Sequence, residues 1–379
     1  MRTSRSRRQQ ARIHMNHKIR GNARHRGRIA GFNDGFQEGY LRGRADVIMK
    51  IPREPIPMRP LHVCYVTTGK GYPYAPMDEG MRNTWQELVS QVSVCGPRDG
   101  VAAVAGQQRP DLVFALDGME LPVEQVDAVR ELGIRTALWI TDDPYYTDVM
   151  SSIVTHYDYV FTLEANSVDY YRSIGANVYF LPFGVYPGQF RPLRSPAKVR
   201  REISFIGSAY WSRIGMLEPI LPELMKRGLV LSGLWWDRMP RYPQYARQIE
   251  LNRWMDPYET SDTYNGSKIV INMHRRHDDE TVNQNRINIS AASPNPRTFE
   301  ICACATLQLT DVRSDVSKFY TPGQEIETYS SPQEMLAKID YYLSHEQERR
   351  DIALRALART MRDHTYAHRL NQVLTTIFG

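Results

Sequence analysis

The sequence predicts an α/β protein built as two parallel-sheet halves behind a basic N-terminal arm. Three observations carry that prediction. From about residue 61, apolar strand-like runs alternate with helical segments through short links, the pattern of a parallel sheet covered on both faces. The alternation restarts after Phe190-Arg191-Pro192, which gives a second half. Charge is segregated as well. Residues 1–50 carry 13 Lys and Arg against three acids, a net +10, whereas the whole chain is only +6, so the other 329 residues sum to −4.

Size and composition set the bounds. A length of 379 residues suggests two or three domains, and 42% hydrophobic with 24% charged residues is ordinary for a globular protein with real cores. No apolar run reaches 18 residues, so no membrane span is expected, and the N-terminus lacks the apolar core of a secretory signal. Cys64, Cys95, Cys302 and Cys304 fall in apolar segments without metal-like spacing to histidine. Reduced thiols in a cytoplasmic protein fit that pattern.

The arm and its linker occupy residues 1–60. Residues 1 to about 26 hold too few apolar side chains to fold alone. Such a segment suits a polyanionic partner: nucleic acid, an anionic polymer or a membrane surface. A solvated tail and a mitochondrial presequence are the alternatives, the latter disfavoured by poor amphipathic periodicity. Gly27, Gly31, Gly35, Gly39 and Gly43 then repeat every four residues beside Phe32, Phe36 and Tyr40. In a helix each glycine costs about 1 kcal/mol relative to alanine. The stripe therefore predicts a helix that docks closely on the body or on a second copy as a homodimer; a flexible linker is the alternative. Pro52, Pro55, Pro57 and Pro60 mark the boundary.

The first half spans residues 61–190. Strands are predicted at Leu61–Val66, Asp111–Leu116, Thr136–Ile140, Tyr157–Thr162 and Val178–Leu181, with helices over 80–90, 122–132, 146–154 and 165–174. Ligands of such sheets bind beyond the carboxyl ends of strands. Those ends are Thr67 to Tyr74, Asp117-Gly118, and Thr141-Asp142-Asp143-Pro144. Gly69-Lys70-Gly71 lacks the P-loop form, which disfavours an ATPase of that type. Asp142 and Asp143 are candidate catalytic carboxylates, either of which would serve as general base or hold a sugar hydroxyl. Alternatively, Asp143 simply caps a helix opened by Pro144.

The second half spans residues 195–345. Ile203–Ile206 reads as a strand, followed by a Gly207-Ser208 turn and a helix from about Arg213. That layout lets backbone N–H groups approach a phosphate, with Arg213 adding charge. Leu229–Leu234 and Ser267–Asn272 are further strands, the latter leading into Asn272-Met273-His274 at a strand end. The polar stretch 275–293 is long enough to be functional or mobile. Its His277, Asp278 and Asp279, with His274, match no zinc spacing, and no metal is expected. Asn295 is an N-cap and Pro296 suits the first helical position. Arg297 gains nothing from the positive helix start, so a bound phosphate would serve both; Glu300, one turn on, would accept from a ribose. A surface Arg297–Glu300 ion pair is the alternative. Leu307-Gln308-Leu309 is the next strand. Residues 346–379 are predicted as C-terminal helices, the last from Tyr366 to Phe378 and crossing back to the first half.

From about residue 61 to the end, the chain resembles the CgeB-type spore-maturation proteins, which are glycosyltransferase-like with a GT-B architecture. The residues that carry the resemblance are Trp139 with Asp142-Asp143-Pro144, Asn166-Ser167-Val168 with Tyr171 and Gly175, and Leu181-Pro182-Phe183-Gly184-Val185 with Phe190 and Pro192. Phe205-Ile206-Gly207-Ser208 with Arg213, Asn295 with Arg297-Thr298-Phe299-Glu300, and Leu309-Thr310-Asp311 follow. Phe319 with Pro322-Gly323 and Glu325, and His364-Thr365-Tyr366 with Arg369, complete the set. The resemblance implies two Rossmann-like, doubly wound domains facing a cleft, with the donor mainly on the second and the acceptor mainly on the first. It implies a metal-independent glycosyltransferase with no required cofactor, using a nucleotide-diphosphate sugar, a UDP-sugar by default. The acceptor would be a glycan, a protein or a small molecule, and the setting cytoplasmic or associated with a spore or cell surface. Gly207, Ser208, Arg213, Asn272, His274, Asn295, Arg297, Thr298 and Glu300 are the donor-site candidates. Related retaining enzymes place two glutamates eight positions apart; the second matches Glu300, but the first falls at Ala292, and the usual glycine after the helix is Ala305. A non-catalytic scaffold of a spore coat or surface polymer, and a nucleic-acid-directed glycosyltransferase, are the rival functions.

Overall fold

The computed structural model describes residues 3–379, with side chains from Arg24 onward except those of Ala30, Asp34 and Ala197. It divides into two compact units, residues 1–50 and 51–379. The first is one helix, Thr3–Lys50. Helix therefore extends well N-terminal of the glycine stripe, into the segment expected not to fold alone. A Cβ built on Gly27, Gly31, Gly35, Gly39 or Gly43 would meet nothing within 4 Å. Phe32, Phe36 and Tyr40 are exposed.

In the larger unit, strands β1 (Arg59–Val66), β2 (Val89–Cys95), β3 (Leu112–Leu116), β4 (Arg135–Trp139), β5 (Tyr159–Thr162) and β6 (Val178–Phe180) form one sheet. Its order is β2-β1-β3-β4-β5-β6, and every pairing is parallel. Strands β7 (Arg201–Ile206), β8 (Leu229–Gly233), β9 (Ile249–Leu251), β10 (Ser267–Asn272), β11 (Leu307–Asp311) and β12 (Glu327–Tyr329) form the second sheet, also all parallel, ordered β12-β11-β10-β7-β8-β9. Both orders reverse direction once. The reversal lies between β1 and β3 in the first sheet and between β7 and β10 in the second. A crevice opens beyond the carboxyl ends of strands at such a switch point. Both sheets are doubly wound and the architecture is GT-B.

Why the strands are where they are follows from burial. β3 reads Leu-Val-Phe-Ala-Leu and is buried along its whole length, as expected of a strand covered on both faces. Separate cores cover the two faces of the first sheet, one including Val113, Leu138 and Val160, the other Tyr65, Trp85, Phe114 and Trp139. The terminal helix Tyr366–Phe378 completes the second of these through Tyr366, Leu370, Val373 and Leu374. Its crossing back is fixed by Arg369 Nε donating to the Pro182 carbonyl at 2.9 Å and by a bridge between Val185 and Thr365. Gly184 permits that approach, because a Cβ there would lie 2.5 Å from the His364 carbonyl oxygen.

Several elements differ from the sequence expectation. The helix expected over 80–90 runs Ala75–Leu88 and feeds directly into β2, an unforeseen strand at the sheet edge. Its solvent-side residues Ser90, Gln91 and Ser93 dilute the apolar signal. β9 and β12 have three residues each, too few for periodicity to register. The expected helix 146–154 is reduced to Thr147–Met150, and Pro144 does not open it. Among the described residues no helix is long and apolar enough to cross a membrane.

Candidate functional site

A cavity of about 520 Å³ lies where strand ends of both sheets meet. From the first half it takes Tyr72, Tyr74, Asp142, Asp143, Tyr145 and Glu164. From the second half it takes Gly207, Ser208, Arg213, Arg275, Arg297 and Glu300, with Asn295 beside them. The size suits a small ligand. A larger hollow around Arg130, Asp158 and Asn177 borders the opposite, amino ends of the first-sheet strands and has no comparable convergence of chemistry.

The donor-side wall starts at β7. Gly207 follows that strand with φ 157, and the neighbouring strand end comes very close. A Cβ on Gly233 would lie 2.2 Å from the Gly207 carbonyl oxygen, so glycine is required there. The turn amides are less available than the sequence suggests: Gly207 N donates to Ser232 O and Ala209 N to Leu234 O, both at 2.8 Å. Charge does more here than amide dipoles. Arg213, on the helix Trp211–Leu217, is buried; its Nη1 donates to Ser208 O at 2.9 Å and its Nη2 to Met273 O at 2.6 Å. Burial, and then the neighbouring Arg297, lower its pKa to about 10. Arg213 and Arg297 line the same hollow and repel each other, a repulsion that an anion would relieve.

Asn295 caps the helix Pro296–Ala303 as expected: its side chain accepts from Thr298 N at 3.1 Å, with Pro296 in the first turn. Arg297 and Glu300 project from this helix into the cavity wall, each half-buried. Burial pushes the Glu300 carboxyl up to about 7, against the pull of Arg297. Asn272, His274 and Thr298 do not line the cavity. Asn272 Nδ2 instead lies within hydrogen-bond distance of Asn295 Oδ1, Thr298 Oγ1 and Gln308 Oε1, so Asn272 and Thr298 orient the cap from behind. His274 is buried, and its Nδ1 lies 2.7 Å from Asp311. Burial lowers its pKa and outweighs that carboxylate. The left-handed position after the helix is filled by Ala305 at φ 55, so the cap geometry persists without glycine.

On the first half, the two adjacent aspartates part ways. Asp143 is buried and receives hydroxyls: Thr162 Oγ1 at 2.5 Å, Tyr171 Oη at 3.0 Å and Thr147 Oγ1 at 3.3 Å. It ties β5 and two helices together and does not cap a helix start. Asp142 is half-buried and, among the described residues, receives only the Tyr74 hydroxyl, at 2.9 Å on Oδ2. Burial raises its pKa, aided by Asp117 and opposed by Tyr74, Lys70 and Arg275. Asp117 sits behind it, fully buried at the end of β3 with φ 69; it is held by Lys70 Nζ at 2.7 Å and Thr141 Oγ1 at 2.6 Å. A non-glycine residue in that conformation costs about 1–2 kcal/mol, which the two contacts offset.

The polar stretch 275–293 is a strap between the halves. Asp148 N donates to Gln284 O, and Gln284 N to Tyr145 O, both at 2.9 Å. Asn166 Nδ2 reaches Ser290 O at 2.9 Å. Buried Glu164 accepts from the amides of Ala292 at 3.0 Å and Ser293 at 3.1 Å. A first-half carboxylate therefore stands at the backbone of the position that lacks a glutamate. Glu164 and Arg275 carried no site expectation in the sequence, and Tyr74 entered only as the end of the stretch Thr67 to Tyr74. Only Tyr74, on the loop after the first strand, carried a local signal. Among the described residues no group of three His, Cys, Asp or Glu is placed to hold a metal ion, and all four cysteines are free and buried.

Comparison with known proteins follows the same lines. Residues 213–375, which contain Arg213, Arg297 and Glu300, match the family model described as glycosyl transferase-like. The spore protein CgeB of Bacillus subtilis (strain 168) is 26% identical over 298 residues, 77% of this chain and 91% of that protein. In structure the chain is similar to Anabaena HepE in complex with UDP-glucose, with TM-score 0.58 at 10% identity over 84% of this chain and 100% of that one. It is similar also to a glycosyltransferase from Rickettsia africae, with TM-score 0.57 at 11% identity over 84% and 97% of the two chains. Sucrose-phosphate synthase from Thermosynechococcus elongatus gives TM-score 0.56 at 10% identity over 84% and 99%. At such identities the structural likenesses establish the fold. The family match and the CgeB relative bear out the resemblance to CgeB-type, glycosyltransferase-like proteins.

Proposed function

We propose that this glycosyltransferase-like GT-B protein is an active glycosyltransferase. It moves a sugar from a nucleotide-diphosphate sugar to a hydroxyl-bearing acceptor without a bound metal, and a UDP-sugar is the default donor. The observation that carries the reading is the convergence of Arg213 and Arg297 on one cavity, opposite a half-buried Asp142. The structurally similar Anabaena HepE holds UDP-glucose in its complex, which supports the donor class.

In the reaction the bond from the anomeric carbon to the diphosphate breaks, and a bond to the acceptor oxygen forms. Negative charge collects on the departing diphosphate. Arg213 and Arg297 stabilise it as preorganised cations in a partly water-excluded site. Glu300 accepts hydrogen bonds from the ribose and fixes the nucleotide. Asp142, with one oxygen satisfied by Tyr74, holds the acceptor hydroxyl and takes its proton. The +10 arm recruits a polyanion, the acceptor's carrier or a surface near it.

Calorimetry with UDP-, GDP-, TDP- and ADP-sugars tests the reading. At least one donor is expected to bind, and turnover should follow in the presence of a suitable acceptor. No binding by any of the four would leave a non-catalytic scaffold as the better account.

A further inference from the structure

Arg275 is a charged residue that neither the sequence motifs nor the donor wall assign. It leads the strap out of β10 and lines the cavity. It is 9% exposed, and its Nε is buried without a hydrogen-bond partner among the described residues. Nη2 donates to the carbonyls of Thr281 (2.9 Å) and Val282. The guanidinium lies between two aromatic rings, 4.2 Å from the centroid of Tyr145 and 4.8 Å from that of Tyr210. Tyr145 belongs to the first half and Tyr210 to the second. The Arg275 carbonyl accepts from the Tyr145 hydroxyl at 2.8 Å and from Arg313.

A buried guanidinium nitrogen without an acceptor carries a desolvation cost, which the carbonyl bonds of Nη2 and the ring contacts offset only in part. Ring faces stabilise the charge but accept no N–H hydrogen bond of ordinary strength. Asp142 supplies counter-charge within the same cavity, but no described residue accepts a hydrogen bond from the Nε of Arg275. Its planar fork suits the oxygens of a phosphoryl group. We propose that Arg275 is a third anion-binding group of the cavity, which meets the donor's diphosphate from the strap and is set in place by tyrosines of both halves. This rests on the donor reading above. It adds that the diphosphate site is complete only when the first half, through Tyr145 and the strap, is closed against the second.

The test is calorimetry of the full chain with inorganic pyrophosphate, UDP, UMP, UDP-glucose and UDP-glucuronate, comparing wild type with Arg275→Gln and Arg275→Lys. Melting curves of the apo proteins check folding. Arg275→Gln is expected to weaken pyrophosphate, UDP and UDP-glucose about ten- to a hundredfold and UMP much less, since a charge-assisted hydrogen bond is lost. Arg275→Lys, which keeps the charge without the fork, should fall between. Equal weakening of UMP and UDP would make Arg275 a structural residue and overturn the proposal. Loss confined to UDP-glucuronate would overturn it too, by assigning Arg275 to an acidic sugar. If the wild type binds none of the five ligands, the donor reading itself fails. If it binds them and Arg275→Gln binds them as well, only the present inference fails.

Discussion

Asp142 and Asp143 share a peptide bond, yet their surroundings assign them different work. Three hydroxyls occupy Asp143, so Asp143→Asn should cost about 1–3 kcal/mol of stability by disturbing a buried network. Donor affinity should change little once the protein is folded. Asp142→Asn should keep its Tyr74 partner, melt like wild type, and lose about 10²–10⁴-fold in turnover; thermal melts beside steady-state assays separate the two. Glu300 makes a pH prediction. Its carboxyl titrates near 7 in the fold, and only the ionised form is purely an acceptor. UDP affinity should therefore rise from pH 6 to pH 8, and Glu300→Gln should flatten that rise. Stability runs the other way. The folded-state pKa is raised, so this group's contribution is fully present below the ordinary carboxyl pKa and is lost as pH rises through about 7. Glu300→Gln should thus help the apo protein more at pH 8 than at pH 5, by about 1–2 kcal/mol. A pH-independent affinity in wild type would remove Glu300 from the nucleotide. Asp142, Arg213, Arg297 and Glu300 were legible in sequence because each sits where a strand ends or a helix starts. Arg275 and Glu164 were not, because their placement depends on contacts across more than a hundred residues.

At the scale of elements, cap and turn chemistry was the most readable layer. Asn295 with Pro296 marked its helix start correctly. The same signal, Asp256 with Pro257, marks the unpredicted helix Pro257–Gly266, where Asp256 accepts from Glu259 N. That helix was overlooked because its residues are mostly polar, including three of the four on its buried face, Thr260, Ser261, Tyr264 and Asn265. Long buried strands such as β3 and β10 were visible as apolar runs. The short edge strands β9 and β12 take their form from pairing with a neighbour, which a sequence window does not contain. The strap was visible only as a long polar loop. Its hydrogen bonds are mostly to backbone, and those leave little trace in residue type.

At the scale of the molecule, the restart of alternation near residue 195 foretold two sheets, and two of the three strand ends named from the sequence, Thr67 to Tyr74 and Thr141 to Pro144, contribute to the cavity. The arm's extension as helix to Thr3 was not foretold, since composition argued for an unfolded chain. Its charge remains its clearest property. Removing residues 1–50 should leave UDP affinity unchanged and abolish salt-sensitive binding to DNA or polyphosphate. Unaltered polyanion binding after truncation would move that role to the body. The central claim is that both halves build one site for an activated sugar, with paired guanidinium groups at its phosphates. A crystal structure with UDP bound tests this most directly. The diphosphate should lie within hydrogen-bond distance of both Arg213 and Arg297, with the ribose at Glu300. A nucleotide bound elsewhere, or a diphosphate touching neither arginine, would contradict the account.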